Sequence, residues 1–193
     1  MKRICIFCGS SPGSRPAYAA AAEALARYLV SKGIAIVYGG GNVGLMGVLA
    51  DTALAAGGEV IGVIPRSLVE KEVAHTRLRD LRIVNSMHER KALMAELSDA
   101  FIALPGGYGT FDEFCEILTW TQLGLQNKPC GILNVDGYYD RLLEMFDHAV
   151  QEQFVKPAHR QMVISESDAE ALLDRLLAYA PPVVEKWIDR ERT

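Results

Sequence analysis

Along this chain, short continuous apolar runs alternate with longer stretches whose apolar residues recur every three or four positions. Ile4 to Cys8 is apolar at five successive positions and stops at Gly9-Ser10-Ser11-Pro12-Gly13. A run apolar on both faces predicts a strand buried inside a sheet. Pro16 to Lys32 is alanine-rich with Leu25, Tyr28 and Leu29 at helical spacing, and Gly33 supplies the stop. The pattern then predicts a strand over Ile34 to Tyr38, closed by Gly39-Gly40-Gly41, and a helix over Leu45 to Ala56, stopped by Gly57-Gly58. A strand over Val60 to Ile64 ends at Pro65, and the polar, irregular stretch Arg66 to Arg79 reads as a long loop with room for one short helix. The remaining expected strands are Leu81–Val84, Phe101–Leu104, Cys130–Leu133 and Met162–Ile164, and the expected helices Met87–Leu97, Phe111–Leu123, Tyr138–Gln151 and Asp168–Tyr179. Pro181-Pro182 breaks the last helix and leaves a polar tail containing Trp187.

Strand–helix alternation of this kind demands a mainly parallel sheet with helices on both faces, because parallel neighbours need crossover connections. The expected architecture is α/β, a single Rossmann-like domain over residues 1–180 followed by the tail 181–193. In such sheets ligands bind beyond the carboxyl ends of the strands. Three glycine-rich strand-to-helix loops lie on that edge: Gly9–Gly13, Gly39–Gly44 and Pro105–Gly109.

Composition narrows the class. At 193 residues, 50% hydrophobic and 23% charged, the chain is the size of one globular domain. Its 20 Lys+Arg against 24 Asp+Glu give a net charge of −4, which argues against partners such as nucleic acid or an anionic membrane. Four scattered cysteines suggest a reducing compartment, hence the cytoplasm, rather than a disulfide framework. There is no signal-peptide pattern at the start and no apolar run near the ~20 residues that span a bilayer.

Gly39-Gly40-Gly41-Asn42-Val43-Gly44 fits G-x-G-x-x-G after a strand and before a helix. A dinucleotide would need an acid at the end of the next strand, which instead reads Ile64-Pro65-Arg66; Arg66 keeps a 2′-phosphate reading open, and a turn needed only for packing is the plain alternative. Pro105-Gly106-Gly107-Tyr108-Gly109-Thr110-Phe111-Asp112-Glu113 is more informative. Its glycines offer successive backbone N–H groups at a helix start, an anion nest for a phosphate, and Thr110 adds a hydroxyl. Thr110-x-x-Glu113 also fits a capping box, a purely structural use. A cap needs no triple glycine, however, and an acid beside a phosphate suits a base aimed at the adjoining sugar. Met87-His88-Glu89-Arg90-Lys91 opens a helix and could be a solvated charged face. His88-Glu89 lacks the second histidine of a zinc site, and the lone pair Cys5, Cys8 should face opposite sides of its strand. No metal or organic cofactor is expected.

Together, Pro105-Gly106-Gly107-Tyr108-Gly109-Thr110-x-x-Glu113 and Met87-His88-x-Arg90-Lys91 resemble the signature of the Lonely Guy (LOG) family of cytokinin riboside 5′-monophosphate phosphoribohydrolases, formerly described as possible lysine decarboxylases. The resemblance runs from Phe7-Cys8-Gly9-Ser10-Ser11 and Tyr38-Gly39-Gly40-Gly41, through Val63-Ile64-Pro65, to Leu133-Asn134-Val135-Asp136-Gly137-Tyr138-Tyr139. Phe111-Asp112 departs from the Leu-Glu usual in plant members and leaves Glu113 in place. The resemblance implies hydrolysis of the N-glycosidic bond of a nucleoside 5′-monophosphate, a cytokinin riboside 5′-monophosphate or AMP. The family's catalytic residues fall on Arg90 and Glu113, and its substrate-binding positions on Glu72, Arg90, Lys91, Gly107, Tyr108, Gly109, Thr110, Glu113 and Thr119. Reading the residues adds Gly106 to these, and Gly9, Ser10, Gly39, Gly40 and Gly41 as phosphate or nucleotide loops. The resemblance also implies a homodimer with the site near the subunit boundary. The helix carrying Phe114, Ile117, Leu118 and Thr121 as one apolar stripe has Trp120 and Leu123 off that stripe, which agrees with a buried interface. Two other classes remain. A non-catalytic nucleotide-binding or carrier protein could use the same loops, and a decarboxylase would need a Schiff-base lysine, for which Lys91 is the candidate.

Overall fold

Strands apolar on both faces need cover on both sides, and the computed structural model supplies it. It describes residues 1–69, 71 and 74–181; the tail from 182 on, with Trp187, lies outside the described residues. The order is β1 (Arg3–Phe7), α1 (Pro16–Ser31), β2 (Ala35–Tyr38), α2 (Gly44–Ala55), β3 (Val60–Pro65), α3 (Arg66–Val69), β4 (Asp80–Val84), α4 (Met87–Leu97), β5 (Ala100–Ala103), α5 (Tyr108–Gln122), β6 (Cys130–Leu133), α6 (Asp140–Gln151), α7 (Pro157–Arg160), β7 (Val163–Glu166) and α8 (Ala169–Leu177). A 3₁₀ turn at Val135–Gly137 precedes α6.

Among the described residues the strands form one sheet, ordered β4-β3-β2-β1-β5-β6-β7, with every pairing parallel. The chain winds outward from β1 to β4, returns to lay β5 beside β1, and winds outward again. Direction therefore reverses between β1 and β5, where the loops diverge and leave a crevice. One core lies between the sheet and α1, α2 and α8, built on Ile4, Ile6, Leu25, Leu29, Leu45, Leu49 and Leu172. The other lies under α4, α5 and α6, built on Phe7, Val37, Met94, Phe101, Phe114 and Ile117. Cys5 belongs to the second core and Cys8 to the first, on opposite faces as the spacing predicts. No helix among the described residues is long and apolar enough to cross a membrane.

Most boundaries fall within a residue or two of the pattern. Gly33 and Gly57 sit at positive φ just past α1 and α2, the left-handed stop that glycine allows. Two differences matter. Helix α5 starts at Tyr108, three residues before the expected Phe111, with Gly107 at its N-cap. Of the glycines that looked like loop, Gly109 already belongs to the helix's first turn. Helix α6 starts at Asp140 rather than Tyr138, because Asp136 and Gly137 take left-handed angles that finish a tight turn first. The four-residue α7 and the edge strand's exposed Ile83 carry no periodic signal.

The loops at the crevice touch closely. Gly44 has φ +56°, and a Cβ there would run into the backbone of Ser10 and Ser11. Gly57, with φ +79°, has nothing within 4 Å of its Cβ position. Gly57→Ala should therefore cost about 1–3 kcal/mol, for backbone conformation alone. Gly44→Ala should cost clearly more, because a neighbouring loop must also move; urea unfolding of both variants measures the difference. Equal losses would mean that the two loops do not meet.

Candidate active site

Two adjacent helices each present one charged side chain to the crevice. Ser86 caps α4, its hydroxyl accepting from the Glu89 N–H at 3.1 Å, and the Glu89 carboxylate takes the Asn85 N–H. This capped first turn fixes the phase of α4 so that Arg90 faces inward. Arg90 Nε donates to the Val63 carbonyl at the end of β3 (3.0 Å), and Nη1 donates to Glu113 Oε1 on α5 (2.6 Å). The two side chains are only 9% and 8% exposed. Gly39 leaves the room: a Cβ there would overlap Arg90 Nη2.

Burial pushes the Glu113 carboxyl above its ordinary range, and the Arg90 guanidinium only partly pulls it back. Glu113 is thus a desolvated acid with one fixed cationic partner, an arrangement that favours functional chemistry. The early start of α5 removes the capping-box reading, since Thr110 lies inside the first turn and the Glu113 carboxylate is occupied by Arg90. Among the described residues the N–H groups of Gly106, Gly107, Tyr108, Gly109 and Thr110 meet no acceptor. A row of open donors at a helix N-terminus, beside a buried carboxylate, can hold an anion and place the adjoining atoms against Glu113.

The cleft in front of this pair holds about 300 Å³. Of the expected site residues, Gly9, Ser10, Gly39, Arg90, Gly107, Tyr108, Gly109, Thr110 and Glu113 line it. Gly106 lines an adjoining cleft of about 280 Å³ with Gly9, Ser10, Tyr18, Leu45 and Tyr138. Gly40 and Gly41 lie elsewhere: the Gly40 carbonyl accepts from the His75 N–H (2.9 Å) and Gly41 bridges Ala74, so both seat the following segment. The turn that fits G-x-G-x-x-G is taken up by contacts inside the chain. Lys91 is outside the cleft, its Nζ held 3.1 Å from both Asp112 and Glu116. Burial would lower its pKa, but the two carboxylates prevail and raise it, so this lysine stays charged and braces α4 to α5. Thr119 lies on the exposed side of α5, its hydroxyl donating to the Cys115 carbonyl at 2.8 Å, and lines a separate hollow near α6 and α7. Glu72 lies outside the described residues.

Sequence reasoning missed several participants. Met46 and Leu68 form apolar walls of the cleft, and the buried His75, bonded through Nε2 to Asp51 at 2.8 Å, ties its own segment to α2. None has a local signal. Tyr138 and Tyr139 stood in a recognisable motif but had no role to suggest one. Among the described residues no cluster of three or more His, Cys, Asp or Glu is arranged to hold a metal ion.

The sequence pattern defining a family described as "Possible lysine decarboxylase" matches residues 46–176. A probable cytokinin riboside 5′-monophosphate phosphoribohydrolase of Oryza sativa subsp. japonica is 51% identical over 181 residues, covering 94% of this chain and 74% of that protein. A cytokinin riboside 5′-monophosphate phosphoribohydrolase of Arabidopsis thaliana is 50% identical over 180 residues, 93% of this chain and 79% of its own length. Among solved structures, a molybdenum cofactor binding protein from Rippkaea orientalis superposes with a TM-score of 0.69 at 21% identity, over 92% of this chain and 97% of that one. At that identity the likeness shows the fold alone.

Arg90→Met would leave Glu113 buried without its cation, at a cost of about 3–5 kcal/mol near neutral pH. The unfolded carboxyl titrates near ~4.3, below the folded one, which burial raises. The folded protein therefore takes up the proton first as pH falls, so the deficit should shrink toward acid and be fully present above the folded pKa. Denaturant unfolding of variant and parent at about pH 5 and pH 8 measures this; a deficit that does not change would show that Glu113's charge is not what Arg90 holds.

Proposed function

The chain belongs to the family described as possible lysine decarboxylase, that of the LOG phosphoribohydrolases, and on that premise we propose that it is an enzyme hydrolysing the N-glycosidic bond of nucleoside 5′-monophosphates, including AMP and cytokinin riboside 5′-monophosphates. The products are the free base and ribose 5-phosphate. The observation that carries this reading is the buried Arg90–Glu113 pair at 2.6 Å, set beside the open donors of the α5 N-terminus.

As the base leaves, C1′ of the ribose becomes oxocarbenium-like. A carboxylate on that face stabilises the developing charge and activates the attacking water. We assign that part to Glu113. Arg90 favours the ionised carboxylate and aims it, and its remaining donors can reach the ribose or phosphate. The donors of Gly106 to Thr110 take the 5′-phosphate, which is remote from the breaking bond and so supplies binding energy for positioning. The names of the relatives supply the cytokinin substrate class. A decarboxylase finds no support at Lys91, which two carboxylates already engage.

We further propose a homodimer through the outer face of α5. Trp120 packs partly against its own core, but Leu123 is 55% and Leu125 70% exposed at the helix's end. Thr119 lies on the same helix, so its place in the substrate site would depend on the assembled dimer. Four free cysteines fit a reducing compartment, and we place the enzyme in the cytoplasm.

Glu113→Gln should abolish adenine release from AMP while the protein stays folded, since the amide still accepts from Arg90, with a lower thermal midpoint because the buried guanidinium loses its counter-charge. Adenine is measured by chromatography, and near-parental turnover would end the assignment. Adenosine should show a far lower kcat/KM than AMP; equal values would deny the nest its phosphate.

Leu123→Lys should yield monomers by light scattering at micromolar concentration and weaken AMP binding. A monomeric variant with unchanged KM would break the link between assembly and site.

A further inference from the structure

Asn134-Val135-Asp136-Gly137-Tyr138-Tyr139 resembles its relatives yet touches neither Arg90 nor Glu113. Its local chemistry serves one end. The left-handed angles at Asp136 and Gly137 close a tight turn, and the Asn134 side chain accepts from the Tyr139 N–H at 2.8 Å while donating to Asp140 at 2.7 Å. The two tyrosines are thereby delivered to the loop between β5 and α5. Tyr139, buried, donates its hydroxyl to the Leu104 carbonyl at 2.7 Å, and Tyr138, at the surface, donates to the Gly106 carbonyl. The Pro105 carbonyl between them accepts from the Gly9 N–H at 3.0 Å. Three successive carbonyls are thus each held by a different donor. The Tyr138 ring is itself fixed edge-on between Tyr139 (5.0 Å between centroids) and Tyr18 (5.6 Å).

We propose that Tyr138 is a positioning residue for the substrate's phosphate, acting through the Gly106–Gly107 peptide; this rests on the reaction proposed above. In a planar trans peptide the C=O and the following N–H point in opposite directions. A hydroxyl that holds the Gly106 carbonyl therefore aims the Gly107 N–H the other way, among the open donors at the α5 N-terminus. Glycine at 106 is required by close approach, since a Cβ would overlap the Thr110 hydroxyl, and the freedom glycine brings must then be removed by something else. Tyr138 removes it. Tyr139 makes the same kind of bond one step earlier, but the Leu104 carbonyl precedes Pro105, which has no N–H to aim. The pair thus contains its own comparison: one tyrosine orients a donor and the other only fastens the strand end.

The test is Tyr138→Phe against Tyr139→Phe. Inorganic phosphate binding is followed by calorimetry, AMP turnover by adenine release, and unfolding by heat. Tyr138→Phe should raise the phosphate Kd and the KM for AMP by about 5–10-fold, the worth of one oriented hydrogen bond, with kcat within about twofold and the thermal midpoint unchanged. Tyr139→Phe should lower the midpoint and leave the phosphate Kd near the parent's. An unchanged phosphate Kd in Tyr138→Phe, or an equal rise in both variants, overturns the assignment. Should the parent release no adenine while the phosphate Kd still separates Tyr138→Phe from it, the proposed reaction falls and the positioning role stands.

Discussion

One ion pair organises the crevice. Arg90 on α4 and Glu113 on α5 meet where little water reaches, and the surrounding chain is arranged to let them do so. Gly39 has no side chain because the guanidinium occupies that space, and the Val63 carbonyl takes a second guanidinium proton. Next to the pair, Lys91 ties α4 to α5 through Asp112 and Glu116, which keeps the helices from parting. A buried charge left alone costs more than the pair as a whole returns, so each element is constrained to keep the other's charge satisfied.

The pair can exist there because of the sheet's winding. With β5 beside β1, the loops leaving these strands diverge, while α4 and α5 lie side by side on one face. The loop after β1 and the loop after β5 remain in contact at their bases through the Gly9–Pro105 hydrogen bond and open above it. The open backbone donors, the carboxylate and the guanidinium therefore share one edge, although Arg90 is far from the other two in sequence. Arg90 and Glu113 stand 23 positions apart, joined by a strand that only the sheet's topology fixes.

Much of this was legible from the chain. Buried parallel strands are apolar on both faces, so the alternation in β1, β2, β3, β5 and β6 was plain, as were the glycine stops after α1 and α2. Glu113 and Gly106–Thr110 stood out because chemistry concentrated in a short motif leaves a local trace, whereas Arg90 came from the family resemblance, its own stretch reading equally well as a solvated charged face. What escaped was relational. Gly39, Gly40 and Gly41 read as a phosphate loop, and the structure adds close approaches that call for glycine there: Arg90 at Gly39, and at Gly40 a positive φ with Val63, Ile64 and Leu81 packed against it, all distant in sequence. Lys91, a substrate position only by the family resemblance, is turned toward Asp112 and Glu116 here, since one step along a helix turns a side chain by about 100°. Thr119 lies more than a turn beyond Glu113, and in a single chain its hydroxyl stays on its own helix. The start of α5 was misjudged because Tyr-Gly-Thr has weak helix propensity, whereas the contacts around Gly106 and Thr110 fix the first turn.

Stability gives no reason to bury a carboxylate and a guanidinium together, since apolar residues of similar volume usually serve as well or better. The reason has to lie in what the pair does. A carboxylate in water is ionised but screened, and its field at a nearby sugar carbon is weak. Moved into an apolar pocket alone, it would bind a proton and lose the charge that is needed. Burial against a fixed cation resolves the conflict, because Arg90 holds down a pKa that desolvation drives up, while the low dielectric keeps Glu113 effective at short range. Phosphate adds a constraint of its own, since a second anion beside Glu113 would push its pKa higher still. Backbone N–H donors meet that requirement. In the proposed reaction they would take the phosphate with dipoles in place of another full charge, and leave the guanidinium to the carboxylate.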